Sequence, residues 1–563
     1  MKRVLLSLIS LLLCSNIFAQ NNWNLVWKME QMPFQAPQEE SQMAIVKAGF
    51  DTDQDGWGEF LCAYTDFGTE NYLLMYEANA DNSYDTVWYF KYPLSAATFA
   101  GIAVGDIDNN GKVDIVTTMP TSWSVANPSP PRLWVFEWNG IVGENKYGNY
   151  TSGTMEPTNA WNFDLPNNTD FRPYGLTIED IDGDGENELI VGVRQRGSGT
   201  LEREVIVASV AGELSGFGSW VIEYDLRGLT GGGLYNVTTG DLDKDGNKEI
   251  YAFIWNNFTL YIIESTGPNQ YAVVDSLKQI YQTAGIDYGA VDAVRISDVN
   301  NDGVNEMYIA GTEPTNTLFI ITNITDVSKI SASDVKELWH TPVKGGGGHK
   351  SMWIADPDKD NKLDLLIGGE RNGQIFNFEY SGQGNPADSA SWNQYIAFDI
   401  FEYSGFPPES FVNGYPRLFY GYPAEDMDKD GLNEYVFVNY HSSFDVWSGD
   451  AYVWVLEVSP ETGIEDELIS SPNGFVLKQN YPNPFNPSTN IQYAINSTQF
   501  VTLKVYDALG TEVATLVSEE KTAGVYQVEF NPSTSVSHPA SSIYFYRLQA
   551  GGFSETKKMI LMK

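Results

Sequence analysis

The sequence predicts an all-β protein, a seven-bladed β-propeller followed by a small Ig-like β-sandwich. Three observations carry this reading. One acidic turn motif recurs seven times, each time between short apolar runs. Aromatic residues make up 13% of the chain and are accompanied by 51 Gly and 26 Pro, a composition suited to many short strands joined by tight turns. Near Asn473 the character of the chain changes to a proline-punctuated stretch and a few longer alternating strands. At 563 residues the chain also exceeds the size at which a single core stops growing, so several domains or a repeat architecture are required.

The repeated element reads D-x-D-x-D-G-x-x-E. Its copies place acids or amides at Asp51, Asp53, Asp55 and Glu59; at Asp106, Asp108, Asn110 and Asp114; at Asp180, Asp182, Asp184 and Glu188; and at Asp241, Asp243, Asp245 and Glu249. The remaining three use Asp298, Asn300, Asp302 and Glu306; Asp356, Asp358, Asp360 and Asp364; and Asp426, Asp428, Asp430 and Glu434. First aspartates are separated by 55, 74, 61, 57, 58 and 70 residues, enough for four strands with loops of variable length.

Each motif lies between two apolar runs, such as Gly101–Gly105 before the second and Leu189–Val193 after the third, so the local reading is strand, acidic turn, strand. A third strand is expected at Leu133–Glu137, Leu260–Glu264, Leu318–Thr322 and Tyr452–Leu456. A fourth, Trp-rich strand is expected at Thr86–Phe90, Ala160–Phe163, Ser219–Glu223, Asp275–Lys278, Lys336–His340 and Ser391–Tyr395. That gives six outer strands for seven motifs. Trp23–Lys28 resembles the missing one, and pairing it with the last blade, which ends near Val458, closes the ring and removes an exposed edge.

Carboxylates at positions 1, 3 and 5 of a tight turn converge on one centre, position 7 can add a backbone carbonyl, and the acid at position 9 completes a hard oxygen shell suited to Ca²⁺. Glycine at position 6 supplies the positive φ of the turn, and Asn361 replaces it in the sixth copy. The seven turns hold 26 acids, whose repulsion a bound cation would relieve. Up to seven calcium sites are expected. The second and fifth, with Asn110 and Asn300, are expected to be weaker, and the sixth, with Pro357 and Asn361, less regular.

These motifs and their flanking strands resemble the FG-GAP or VCBS repeats of integrin-alpha-like propellers over roughly residues 21–460. The resemblance implies a seven-bladed ring with Ca²⁺ held in hairpin loops by the residues above. Five copies here have Glu at position 9, where that family often has Asp.

Residues 1–19 read as a secretory signal: Lys2 and Arg3 precede the apolar run Val4–Leu13, which is too short to span a bilayer, and Ile17-Phe18-Ala19 offers a cleavage end. Leu13 stands before Cys14 where an acylated lipoprotein needs a small residue, so acylation is disfavoured. Removal of the signal leaves Cys62 alone, and no internal disulfide can form. The propeller is expected over residues 20–460, a linker over 461–474 and the sandwich over 475–563. In this last part Asn480-Tyr-Pro-Asn-Pro484, Asp507-Ala-Leu-Gly510, Gly524-Val-Tyr526 and Lys557–Lys563 closely resemble the type A C-terminal sorting domain of the type IX secretion system. That resemblance implies the secretion machinery as a partner, Sec export through the periplasm, passage across the outer membrane, and either surface attachment or release.

A formal charge of −41, from 33 Lys+Arg against 74 Asp+Glu, disfavours nucleic acid and anionic membrane as partners, and no transmembrane segment is visible. His340, His349, His441 and His538 lack zinc-site spacing, and no nucleophile elbow or metalloprotease helix occurs. Cys62 lies in an apolar strand, and the Gly345–Gly348 run lacks phosphate-loop spacing. Trp123, Trp161, Phe406 and Tyr415 are candidates for stacking on sugar rings, although core or inter-blade packing is the expected fate of most of them. The expectation is therefore a secreted or cell-surface recognition or adhesion module, with a glycan or protein ligand, rather than an enzyme. The alternative is a polysaccharide lyase or hydrolase built on a calcium-stabilised propeller.

Overall fold

The computed structural model describes residues 23–29, 42–65, 70–93, 100–119, 131–151, 154–164, 172–194, 203–214, 220–227, 237–254, 259–277, 291–311, 317–340, 348–370, 373–405, 418, 420–439, 452–458, 475–477, 480, 485, 488–495, 498–522, 524–532, 542–551 and 553–561. The signal at 1–19, the linker at 461–474, and Cys14, Trp123, Phe406, Tyr415, His441 and His538 lie outside these residues. The chain divides into two compact units, Met1–Pro460 and Glu461–Lys563.

The first unit is built from seven four-stranded antiparallel sheets. In the first, Gln42–Phe50, Glu59–Thr65, Asn71–Ala80 and Ser83–Lys91 follow one another from the inside outwards. The second strand is buried along its length in five sheets, as Glu59–Thr65, Asp114–Thr118, Glu249–Ile254, Glu306–Gly311 and Glu434–Val438. These are the continuous apolar runs that follow each acidic turn, and strands covered on both faces need such runs rather than strict alternation. Each innermost strand packs against the next, and the seventh, Gly421–Ala424, packs against the first, Gln42–Phe50, so the sheets form a complete circle.

The seventh sheet is completed by the N-terminal segment. Trp23–Lys28 pairs antiparallel with Val453–Val458, with Trp23 opposite Val458 and Lys28 opposite Trp454. Trp23 sets its ring edge-on to Tyr435 at 6.3 Å, and Trp27 packs in the same way on Phe60, Tyr76 and Tyr84 of the first sheet. The closing strand thus bridges two neighbouring blades as well as completing its own.

Neighbouring sheets approach too closely at some points for any side chain. A Cβ on Gly105 would lie 3.1 Å from Ile178 in the next sheet, and one on Gly58 would lie 2.8 Å from the backbone Cα of Met427. Gly58 also donates its N–H to the Met427 carbonyl at 2.8 Å. The remaining space between sheets is filled by large aromatics, such as the stacked pair Trp161 and Trp220 at 5.0 Å. Trp161 is therefore a core residue and not a sugar platform.

The second unit holds a three-stranded sheet of Phe475–Leu477, Thr489–Ile495 and Gly524–Phe530 and a four-stranded sheet of Glu512–Lys521, Gln499–Asp507, Ser542–Ala550 and Phe553–Leu561. Their facing residues, among them Ile491, Tyr493, Leu503, Val505, Tyr546 and Leu548, form one core. Asn480 is buried, accepts no role in a strand, and ties the proline-rich segment down: its N–H donates to Tyr546 Oη at 2.7 Å and its Nδ2 to Thr489 Oγ1 at 2.9 Å.

One local expectation needs correction, and two local features were not anticipated. The fourth strand of the fourth sheet is Gln270–Ser276 and ends where Asp275–Lys278 was expected to begin, because Gly267 and Asn269 turn the chain earlier. Gly348 opens an innermost strand, Gly348–Ala355, while residues 345–347 of the glycine run lie outside the described residues. The second blade carries an extra small hairpin, Asn149–Thr151 with Thr154–Glu156.

Replacing Gly58 with alanine should force the first and seventh sheets apart and reduce stability by about 1–3 kcal/mol. Denaturant unfolding of the calcium-saturated protein would show this, and an unchanged midpoint would contradict the close packing.

Candidate functional site

All seven acidic turns adopt one conformation, and the sequence explains it residue by residue. The backbone is left-handed at position 4 (Gln54, Asn109, Gly183, Lys244, Asn301, Lys359, Lys429), with φ between 53° and 74°. It is left-handed again at position 6, with φ between 67° at Asn361 and 98° at Gly431. The position-6 N–H donates to the position-1 carboxylate in every copy, at 2.7–3.1 Å. The position-7 N–H donates to the position-5 side chain in every copy, at 2.7–2.9 Å.

The acid at position 9 starts the buried second strand and turns one oxygen back towards the loop. In six copies that oxygen accepts the position-2 N–H, at 2.8–3.4 Å. The sixth copy cannot make this bond because position 2 is Pro357, which has no N–H. The other oxygen is the informative one. Glu59 Oε1, Asp114 Oδ1, Glu188 Oε1, Glu249 Oε1 and Glu434 Oε1 are buried without a hydrogen-bond partner, as is Asp364 Oδ2. Asp53 Oδ2, Asp108 Oδ1, Asp241 Oδ1, Asp243 Oδ1 and Asp426 Oδ1 are in the same condition.

Burial, reinforced by the neighbouring acids, drives the position-9 carboxyls far above their ordinary range. Glu59 is pushed up to about 9, Asp114, Glu188 and Glu434 to about 8, and Glu249 and Glu306 to about 7; Asp364 is also strongly raised. Buried acceptor oxygens that face one another and lack donors are costly unless a cation or proton lies between them. Ligand oxygens of Asp241, Asp243, Asp245 and Glu249 lie within 4.8 Å of one another, as do those of Asp51, Asp53 and Glu59, of Asp106, Asp108 and Asp114, and of Asp180, Asp182 and Glu188. A hard divalent ion fits this all-oxygen donor set.

Two features of the site were not foreseen from the motif. The first is a further acid on the third strand, directly opposite position 9. Glu59 faces Glu77, Asp114 faces Glu137, Glu249 faces Glu264, Asp364 faces Glu379 and Glu434 faces Glu457. Asp53, Asp55 and Glu77 form a cluster of their own. The signal was present, since in each case a single Glu stands among the apolar and aromatic residues of the third strand.

The second is that six of the hairpins are held by the next blade. The connection between third and fourth strands of one sheet reaches over the preceding hairpin: Leu214 N–H donates to Asp108 at 2.8 Å, Val327 to Asp243 at 2.9 Å and Asn82 to Asp428 at 2.6 Å, and Asn269 likewise meets Asp182. In the second blade the insertion does this work, with Gly143 N–H on the Asp53 carbonyl and Asn145 Nδ2 on Glu77 at 2.7 Å. From position 8, Asn187, Asn305 and Asn433 donate to the position-1 carbonyls of Asp106, Asp241 and Asp356 in the preceding hairpin, as does Lys248 to Asp180.

The copies are not equivalent. In the second, Lys112 Nζ contacts Glu137, and the Asn110 amide donates to the same carboxylate at 2.7 Å. In the sixth, Lys362 Nζ contacts Asp360 and approaches Glu379 at 3.5 Å. In the fifth, the Asn300 amide donates to Asp302 at 2.9 Å. Cys62 is wholly buried, which pushes its thiol far up and leaves it inert, and His349 is buried on an innermost strand beside Phe376.

With this geometry established, the comparisons with known families fall into place. Residues 51–117, from the first aspartate of the first hairpin to the strand after the second, match the FG-GAP-like repeat. Residues 479–562 match the secretion system C-terminal sorting domain, and this tail marks the chain for export by the type IX system to the cell surface or beyond. A comparison with curated proteins finds no match. Among the described residues no helix is long and apolar enough to cross a membrane.

The raised carboxyls make the metal-free protein sensitive to pH. Each binds a proton in the folded state at pH values where the unfolded chain, with glutamates near 4.5, has lost it. Stability is then greatest below about pH 4.5 as far as these groups are concerned, and it falls as the pH rises towards 7–9. In chelator the melting temperature should drop between pH 5 and 8; with millimolar calcium the drop should vanish. A flat profile in chelator would count against the buried acids.

Proposed function

We propose that the protein is a secreted or cell-surface calcium-binding propeller that acts as a recognition or adhesion module. Export is assigned to the type IX system through residues 475–563, after removal of a signal at 1–19, with residues 461–474 as the connecting linker. The observation that carries the calcium reading is the buried, partnerless oxygen of the position-9 acid, repeated in six of the seven hairpins. That oxygen points to a cation because no donor among the described residues meets it.

Calcium would be held in each hairpin by the side chains at positions 1, 3, 5 and 9, with the third-strand acid close by. Its contribution is electrostatic, joining carboxylates that otherwise repel and fixing the turn that connects the two most buried strands. At a hundredfold excess over its dissociation constant each ion that binds only the folded loop adds about 3 kcal/mol. The first, third, fourth and seventh hairpins, with full acid sets, are the stronger sites. Lys112 and Lys362 already bring a positive charge into the second and sixth, and the Asn300 amide weakens the fifth.

The recognition reading rests on the rigid ring. Loops held by metal and by the next blade can present a fixed surface, and no arrangement of nucleophile, base and oxyanion donors is found among the described residues.

Metal analysis of the purified protein should find about four or five calcium ions per chain, and chelation should lower the melting temperature with recovery on adding Ca²⁺. Glu249→Gln should remove roughly one ion, while Lys362→Met should leave the count unchanged or raise it. A metal-free protein indifferent to chelator would overturn the proposal. In the native host, deleting residues 479–562 should strand the protein in the periplasm, read by cell fractionation.

A further inference from the structure

The innermost strands of all seven sheets line a cavity of about 270 Å³ on the ring axis, and Lys47, Phe50, Thr238, Arg295, Trp353 and Tyr422 are among its walls. A smaller cavity of about 40 Å³ adjoins it at Lys47, Arg295 and Trp353, so this layer of side chains crosses the channel. Its chemistry is opposite to that of the rest of the molecule. In a chain with 74 acids, neither Lys47 nor Arg295 has a carboxylate partner among the described residues.

Arg295 is anchored on one side only. Its Nη1 donates to Thr238 Oγ1 at 2.9 Å and to the Val294 carbonyl at 2.7 Å, while its Nε is buried without a partner. The guanidinium lies 3.9 Å from the centre of the Trp353 ring, and Lys47 Nζ lies 5.6 Å from Trp353 and 5.2 Å from Tyr422. Burial, helped by the charge of Arg295, lowers the Lys47 ammonium to about 8, and burial alone lowers Arg295 to about 10.

A purely structural cation–π layer accounts for the ring contacts. It does not account for two like charges placed together with an unused donor, an arrangement that costs stability unless an anion shares both. Around this cationic pair the wall mixes the hydroxyls of Thr177 and Thr238 with the apolar faces of Val104 and Ile178. That combination suits a ring with hydroxyls on its edge and C–H groups on its face.

We propose that this layer of the axial channel binds a carboxylate-bearing sugar unit, with the carboxylate taken by Arg295 and Lys47 and the sugar ring seated against the mixed wall beside Tyr422. A planar guanidinium set beside a second cation is the donor suited to a carboxylate. The cavity has room for about one sugar ring, which makes a single uronic-acid unit the occupant. This assigns a ligand class to the recognition module proposed above and rests on that reading.

The test uses the full secreted chain, loaded with calcium, with metal content and melting temperature recorded on the same sample. Titration calorimetry with galacturonate and glucuronate should show saturable binding. Galactose, which lacks the carboxylate, and acetate, which lacks the ring, should bind at least roughly tenfold more weakly. Arg295→Met and Lys47→Met should each weaken uronate binding by roughly tenfold or more; Arg295→Met also frees Thr238 Oγ1 and the Val294 carbonyl, whereas Lys47→Met removes no hydrogen bond among the described residues and should leave the melting temperature unchanged. If either variant fails to fold, the other decides.

Absence of uronate binding to the folded, calcium-loaded protein would overturn the inference while leaving the calcium and recognition readings in place. Equal binding of acetate or galactose, or undiminished binding by both variants, would overturn it as well. Loss of the metal itself would instead indict the calcium reading.

Discussion

The fold depends on placing carboxylates where proteins rarely place them, at the start of strands buried on both faces. Glu59, Glu188, Glu249 and Glu434 are fully buried, and each stands between an acidic turn and the most apolar strand of its sheet. Such a group is tolerable only if its charge is compensated locally. Backbone N–H groups at positions 2, 6 and 7 compensate some of the oxygens and leave one open in most copies. The repetition of this residual need in six hairpins, more than the number of acids, is what supports reading them as cation holders.

The compensation is shared between blades. A position-3 carboxylate is pinned by the following sheet, and a position-8 amide from that sheet ties down the loop backbone. The sixth hairpin faces the one sheet whose third and fourth strands are not joined in sequence, because its outer strand comes from Trp23–Lys28. Asn433 still ties its backbone at Asp356, but among the described residues no connection between third and fourth strands reaches Asp358. This is the hairpin that carries Pro357, Asn361 and the internal ammonium of Lys362, so local sequence irregularity and the missing position-3 clamp coincide.

Much of this was legible in the sequence. The acidic repeat, the apolar runs beside it and the tryptophan-marked outer strands were enough to place seven sheets and to pair Trp23–Lys28 with Val453–Val458. Period and spacing are local properties, and the strands obey them. What lay beyond reach was lateral. The Glu77, Glu137 and Glu457 positions became part of the site only once the cross-strand register set them opposite position 9. Asn187 and Asn305 read as ordinary turn residues until their contact with the preceding blade was known. Trp161 looked available for a ligand because nothing in the sequence shows that Trp220 covers it. Lys47 and Arg295, some 250 residues apart, meet only because the circle closes.

The N-terminal strand has a further consequence for assembly. Trp23 and Val458 must find each other across roughly 435 residues, a separation that places this pairing among the slowest kinds of contact to form. Until then the molecule is an incomplete arc with an unsatisfied backbone edge along Val453–Val458. That edge has the chemistry to pair with the equivalent strand of another copy, so the intrachain clasp is also what protects the ring from strand exchange.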